Sequence, residues 1–192
     1  TEPESADNMD LGFRYADGTT GVEAFYFESD YQSLKAACTN SQGGSCDEGD
    51  VFDGGAVDVS GIELSASMVV AGLNGVSYPL GVTYTSTDAT FGNSFDDDGE
   101  YWGVVAAGDD VPYVPDSSLA LVAGFAGANG LTGNMRYVSN GSSCSTAACG
   151  TYQTIDSHSY LDLSLRKALN ANTDLYVVIA VSYTHLRAHE TQ

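Results

Sequence analysis

Three groups of residues have types that could do chemistry. The first is oxygen-rich: Asp96-Asp97-Asp98-Gly99-Glu100 offers the carboxylates a calcium ion takes as ligands, but without the twelve-residue spacing of a helix–loop–helix calcium site. A solvated loop tip is the simpler reading. The second is Asp156-Ser157-His158, which holds the residue types of a hydrolase triad. Neighbours on an extended strand point to opposite sides, so these three do not converge there. The third is four Cys in two close pairs, Cys38/Cys46 and Cys144/Cys149, each in Ser-, Gly-, Thr- and Asn-rich sequence. Zinc knuckles use tighter spacing and matching partners. Two local disulfides that pin two loops is the better reading, and it implies an oxidising compartment. The sequence has no nucleophile elbow, phosphate loop or zinc-protease helix motif. No enzyme, no cofactor and no resident metal is therefore expected.

The elements that would carry these residues are long strands. Between Ile62 and Val70 the chain alternates: Ile62, Leu64, Ala66, Met68 and Val70 fall on one face, Glu63, Ser65 and Ser67 on the other. Extended, the stretch Val57–Val70 spans more than about 40 Å, long for a soluble domain, where strands of about five or six residues are usual. The same pattern predicts eight strands in all: about 8–16, 21–31, 57–70, 77–91, 117–125, 131–138, 155–169 and 174–180. Asp17-Gly18 and Asn74-Gly75 mark tight turns. Which face of the second strand is apolar is not legible from Val22-Glu23-Ala24-Phe25-Tyr26-Phe27.

Connections alternate between short and long, which puts every long loop at one end. Up-and-down membrane barrels have this organisation, with an apolar outside and a polar inside. Two alternatives stand beside it: a complete eight-stranded outer-membrane barrel with a structural or adhesive role, which the strand count fits, and a secreted acidic β-sandwich binding glycan or calcium, which would alternate too but would bury the Ile62/Leu64/Met68 face that a barrel wall leaves exposed. Read as a barrel, Asp10, Arg14, Glu63, Asp162 and Arg166 face the lumen, and Asp58 is expected to join them. Tyr15, Tyr31, Tyr84, Phe91, Phe125 and Tyr137 near strand ends fit interfacial girdles.

The 192-residue chain carries 26 acidic against six basic residues, a formal charge of −20. That excludes nucleic-acid binding through phosphates. Glycine (22) and Tyr (12) are abundant and Pro (4) scarce, which suits strands joined by turns. No run of about 18 apolar residues predicts a membrane helix; barrel strands are half polar and escape that test. Thr1-Glu2-Pro3-Glu4-Ser5 has no signal-peptide character, so the chain is expected to be either cytosolic or an internal fragment. From Val181 the pattern is expected to break. Residues 181–191 resemble the translation of a sequencing adapter, so 181–192 reads as a non-native tail. His185 and His189, spaced to chelate on a helix, are set aside with it.

Several pieces resemble, in order, the late barrel strands of TonB-dependent outer-membrane receptors. They are Asp10-Leu11-Gly12-Phe13-Arg14-Tyr15 through Ala24–Tyr31, Gly61–Ala66, Val82–Ala89, Asp109-Asp110-Val111-Pro112-Tyr113-Val114-Pro115 and Tyr160–Arg166. The loop Cys38–Asp47 followed by Phe52–Val57 is similar to the ferric citrate receptor branch. The resemblance implies an all-β, antiparallel up-and-down meander forming part of a 22-stranded transmembrane barrel, with residues 1–180 as a partial barrel. It implies a ferric chelate or siderophore as ligand, outer-membrane lipid around the wall, and coupling to the TonB complex through an N-terminal plug that this chain lacks. The location implied is the outer membrane of a Gram-negative bacterium. The family's ligand contacts are largely basic and aromatic residues of plug and loops. No binding motif here matches them, and the loops are acidic.

Overall fold

The computed structural model describes residues 3–37, 51–96, 104–147, 149–150 and 153–184. Eight strands form one antiparallel sheet in chain order. They are β1 (Ala6–Ala16), β2 (Thr20–Tyr31), β3 (Val57–Ala71), β4 (Ser77–Phe91), β5 (Ser117–Ala126), β6 (Leu131–Asn140), β7 (His158–Asn170) and β8 (Thr173–Thr184). The long connections 32–56, 92–116 and 141–157 all leave one end, and the short turns leave the other. Among the described residues β1 pairs with β2 alone and β8 with β7 alone, so both outer strands are open edges.

Local chemistry explains the short turns. Asn74 (φ 56°) and Gly75 (φ 73°) both adopt left-handed backbone, the requirement of the tight hairpin turn that Asn-Gly favours. At the β1–β2 turn the Asp17 carboxylate accepts from the backbone N–H groups of Thr19 (3.0 Å) and Thr20 (2.8 Å) and from the Thr19 hydroxyl (2.9 Å). Those donors, the Thr19 N–H foremost, hold its carboxyl at about 2, below the ordinary 3.8. The folded value is the lower one, so the stabilisation is present above the unfolded value and is lost as pH falls from about 4 through 2. A carboxyl-carbon NMR titration should place the Asp17 midpoint near 2. The Asp17→Asn variant should lack that part of the acid dependence.

Cross-strand register assigns every side chain to a face. One row runs unbroken across all eight strands: Tyr15, Val22, Ala66, Val82, Leu121, Tyr137, Leu161 and Val181. The row one residue away, on the opposite face, is Arg14, Glu23, Ser65, Thr83, Ala120, Val138, Tyr160 and Ser182. The facing of β2 is thereby fixed: Val22, Ala24 and Tyr26 lie on the apolar face, Glu23, Phe25 and Phe27 on the polar one. Phe25 and Phe27 lie over Gly12 and Gly61, whose missing side chains leave room for the rings.

The buried core is small and sits at the loop end. Val57, Phe91, Val105 and Ala147 form it, with Tyr31, Leu34, Val59, Phe95 and Val111 packed against them. The rings of Phe91 and Phe95 meet edge to face at 5.5 Å. Val57, Val59, Phe91 and Tyr31 belong to the polar face by register, so the loops fold over the end of that face.

Four expectations are corrected. Tyr31 and Phe91 are not girdle residues: strand parity turns both to the polar face, into the core. Asp58 does not share the face of Glu63, because five residues separate them and the period is two; it shares that of Ile62. The strand expected from residue 155 starts at His158, because Thr154–Ile155 pairs with Ser143–Cys144 in a separate ribbon. Finally, the pattern does not break at Val181. β8 runs to Thr184, with Val181 and Ser182 in register with Leu161 and Tyr160; alternating Val-Ser-Tyr-Thr suits a strand.

Candidate binding face and loop-end cavity

The polar face is crossed by charge pairs. Asp10, Arg14, Glu63, Asp162 and Arg166 all lie on it. Arg14 forms an ion pair with Glu23 directly opposite on β2, and its guanidinium sits 6.0 Å from the centre of the Phe25 ring. Arg166 Nη2 donates to Asp174 Oδ2 at 2.7 Å, diagonally across the β7–β8 hairpin. Asp162 stands opposite Arg136, which lies 6.0 Å over the Tyr160 ring. Both ion pairs are well exposed, so they add little stability; their consequence is a face that holds charge and water. Alternation along β6 already sets Arg136 opposite Met135 and Tyr137, whereas Glu23 and Asp174 are placed on this face only by the register.

A neutral relay crosses the same face near the loops. Ser118 Oγ donates to Asn140 Oδ1 at 2.9 Å, which turns the amide Nδ2 toward His158 Nε2 at 3.1 Å. An amide N–H can only donate, so Nε2 is the acceptor of this contact. His158 is thus engaged by Asn140 across β6–β7.

On the apolar face, the loop end carries acid. Asp7, Asp30 and Asp58 stand in direct cross-strand register, followed by Thr90 and, through an isolated bridge, Asp110. Like charges directly opposite destabilise a sheet. The Asp58→Asn variant should be more stable by about 0.2–1 kcal/mol at low salt. Denaturant unfolding at two salt concentrations checks this: the gain should shrink at about 1 M salt, where screening reaches only about 3 Å.

Where β4 meets β5 the ladder parts. Thr87 N–H donates to the Asp116 carbonyl at 3.0 Å and Val111 N–H to the Ala89 carbonyl at 2.9 Å. Residues 112–115 leave the ladder between these two bonds. Pro112 and Pro115 have no N–H to give it, and Tyr113 takes left-handed backbone (φ 65°) while its N–H donates to the Cys144 carbonyl at 2.7 Å. The excursion and the 141–154 segment enclose a cavity of about 440 Å³ lined by hydroxyls, three Asp and two half-cystines. Cys144 and Cys149 form a disulfide. Cys38 and Cys46, residues 97–100 of the acidic run, and His185 and His189 lie outside the described residues. Asp110, Cys144 and Cys149 come together, but the two sulfurs are spent on each other and cannot ligate a metal.

The apolar face settles the architecture. Ile62, Leu64 and Met68 are 41%, 44% and 45% exposed, so among the described residues no second sheet covers them, and the exposed band continues from Leu11 and Phe13 on β1 to Val177 and Ile179 on β8. A contiguous apolar surface of this extent needs an apolar medium. The family model described as TonB dependent receptor-like, beta-barrel matches residues 2–179. The chain belongs to the TonB-dependent receptor β-barrel family. This TonB-dependent receptor barrel is a protein of the Gram-negative outer membrane, and its family works as receptors for ligands and the TonB machinery. No curated protein and no solved structure matches the chain. No described helix is long and apolar enough to cross a membrane, which says nothing about crossing by strands. Lys167, on the apolar face of this barrel, reaches the short-turn rim and donates to the Asn129 carbonyl at 2.6 Å, as a lysine at a membrane boundary does.

Proposed function

We propose that residues 1–180 are part of the barrel wall of a receptor that admits a ferric chelate, ferric citrate or another siderophore, using inner-membrane energy relayed by the TonB complex to a plug domain. In this reading residues 181–192 are a non-native tail whose first four residues happen to extend β8, the apolar face meets lipid, and Asp10, Arg14, Glu63, Asp162 and Arg166 face the lumen. The observation that carries it is the pairing of an exposed apolar face with a charged face, under loops gathered at one end. Arg facing lipid at mid-membrane would cost about 2–4 kcal/mol, which favours the inward assignment. Ligand class rests on the likeness of Cys38–Asp47 and Phe52–Val57 to the ferric citrate branch. A complete eight-stranded barrel is disfavoured by the open β1 and β8 edges, since lipid leaves unpaired strand edges unsatisfied.

The test is radioactive-iron uptake by a strain that lacks its own ferric citrate receptor and expresses the receptor gene containing this segment. Uptake with citrate or a siderophore that stops when the energy-transducing complex is deleted supports the reading. Energy-independent uptake, or none with any chelate, defeats it.

A further inference from the structure

The Cys144–Cys149 disulfide has an anionic neighbour that its structural role does not require. Asp110 Oδ2 lies 3.5 Å from Cys144 Sγ. A disulfide sulfur carries no proton, so this contact is not a hydrogen bond but a carboxylate held against the sulfur. Cys144 is otherwise buried, at 8% exposure. Both half-cystines line the loop-end cavity, and the titratable groups lining it with them are Asp88, Asp110 and Asp116, with no basic residue among the described lining. A reductant reaching the bond through this cavity meets only negative charge.

We propose that Asp110 guards the disulfide electrostatically, so that negatively charged thiols reduce it slowly. Reduction by a dithiol begins when one thiolate attacks a sulfur, forming a mixed disulfide and expelling the other sulfur as thiolate. A second thiolate then displaces the remaining protein sulfur: with dithiothreitol it comes from the same molecule and closes a six-membered cyclic disulfide, and with dimercaptosuccinate, whose vicinal thiols would close only a strained four-membered ring, it comes from a second molecule and leaves an intermolecular disulfide. Either way the reagent supplies two electrons, and two protons end on Cys144 and Cys149. Attack at Cys144 brings the incoming anion against Asp110. Attack at Cys149 makes Cys144 the departing thiolate beside the same carboxylate. Either route places negative charge near Asp110 in the transition state, most of all for a reagent carrying carboxylates. The strap that Asp110 protects holds the Cys144 carbonyl that receives the Tyr113 N–H, so protection also preserves the excursion 112–115 and the cavity wall.

The test uses the receptor that contains this segment, in phosphatidylcholine vesicles, with dithiothreitol and the dicarboxylated dimercaptosuccinate as probes. Differential alkylation and mass spectrometry follow Cys144 and Cys149 specifically. The Asp110→Asn variant should react with dimercaptosuccinate about five-fold faster, the effect of one charge at about 4 Å in a watery setting, and with dithiothreitol by a smaller factor. The Asp110→Glu variant should keep the wild-type preference. If Asp110→Asn does not fold, the wild type decides: about 1 M salt should speed dimercaptosuccinate more than dithiothreitol. An unchanged dimercaptosuccinate rate, equal acceleration of both reagents, or a salt response equal for both overturns the proposal.

Discussion

Replacing Leu64 with Arg should cost about 2–4 kcal/mol of folding stability in a bilayer, while Ser65→Arg, one residue on, should cost far less. The two positions share one strand, and both sit in the middle of β3. They differ only in face. Leu64 stands in register with Ala24 and Tyr84 on the apolar side, 44% exposed where lipid must cover it. Ser65 stands with Glu23 and Thr83 on the side that already holds the Arg14–Glu23 pair. A guanidinium at position 64 must be dragged from hydrocarbon toward water, whereas at 65 it joins existing charge. Denaturant unfolding of the receptor that contains this segment, in phospholipid vesicles, measures both. Equal costs would mean that the two faces meet the same medium.

The second large effect concerns backbone approach. The Gly61→Ala variant should lose about 1–3 kcal/mol, the usual cost of overpacking, because a Cβ at Gly61 would run into the Ser86 carbonyl oxygen and lie 2.6 Å from Phe27 Cζ. A ring can swing aside, but a carbonyl held in the β3–β4 ladder cannot. Gly81 supplies the control on the same face. Its added Cβ would meet Val122 Cβ at 3.8 Å and the Ala66 carbonyl oxygen at 3.9 Å, ordinary contacts, so Gly81→Ala should stay within about 0.5 kcal/mol of wild type. The same unfolding assay, run on both variants, separates glycine needed for close approach from glycine tolerated in a strand.

Much of the architecture was legible because a strand with two different media on its faces writes both into its sequence. β3 and β4 show this best: Ile62, Leu64, Ala66 and Met68 against Glu63, Ser65 and Ser67, and Tyr78, Leu80, Val82 and Tyr84 against Thr83, Thr85 and Thr87. The alternation of short and long connections then follows from counting. What stayed hidden depends on contacts between strands distant in sequence. β2 carries aromatics on both faces, so only pairing with β1 and β3 assigns Phe25 and Phe27 to the polar side. Tyr31 and Phe91 are typical girdle types, yet parity and the folded-over loops turn them into core. The Asp7–Asp30–Asp58 row is invisible along the chain because each acid comes from a different strand. The excursion 112–115 could be anticipated at Pro112 and Pro115, but not its attachment to Cys144, which requires two loops to meet.

The central claim is that the Ile62/Leu64/Met68 face meets lipid and the Glu63/Ser65/Ser67 face meets water. A spin-label scan from residue 62 to 70, in the receptor that contains this segment and in phospholipid vesicles, tests it most directly. Collision with dissolved oxygen should peak at positions 62, 64, 66, 68 and 70, and collision with a water-soluble nickel chelate at 63, 65 and 67. The alternation follows from the two-residue period of the strand and the opposite media on its two sides. A scan without alternation, or with the two peaks exchanged, would contradict the account.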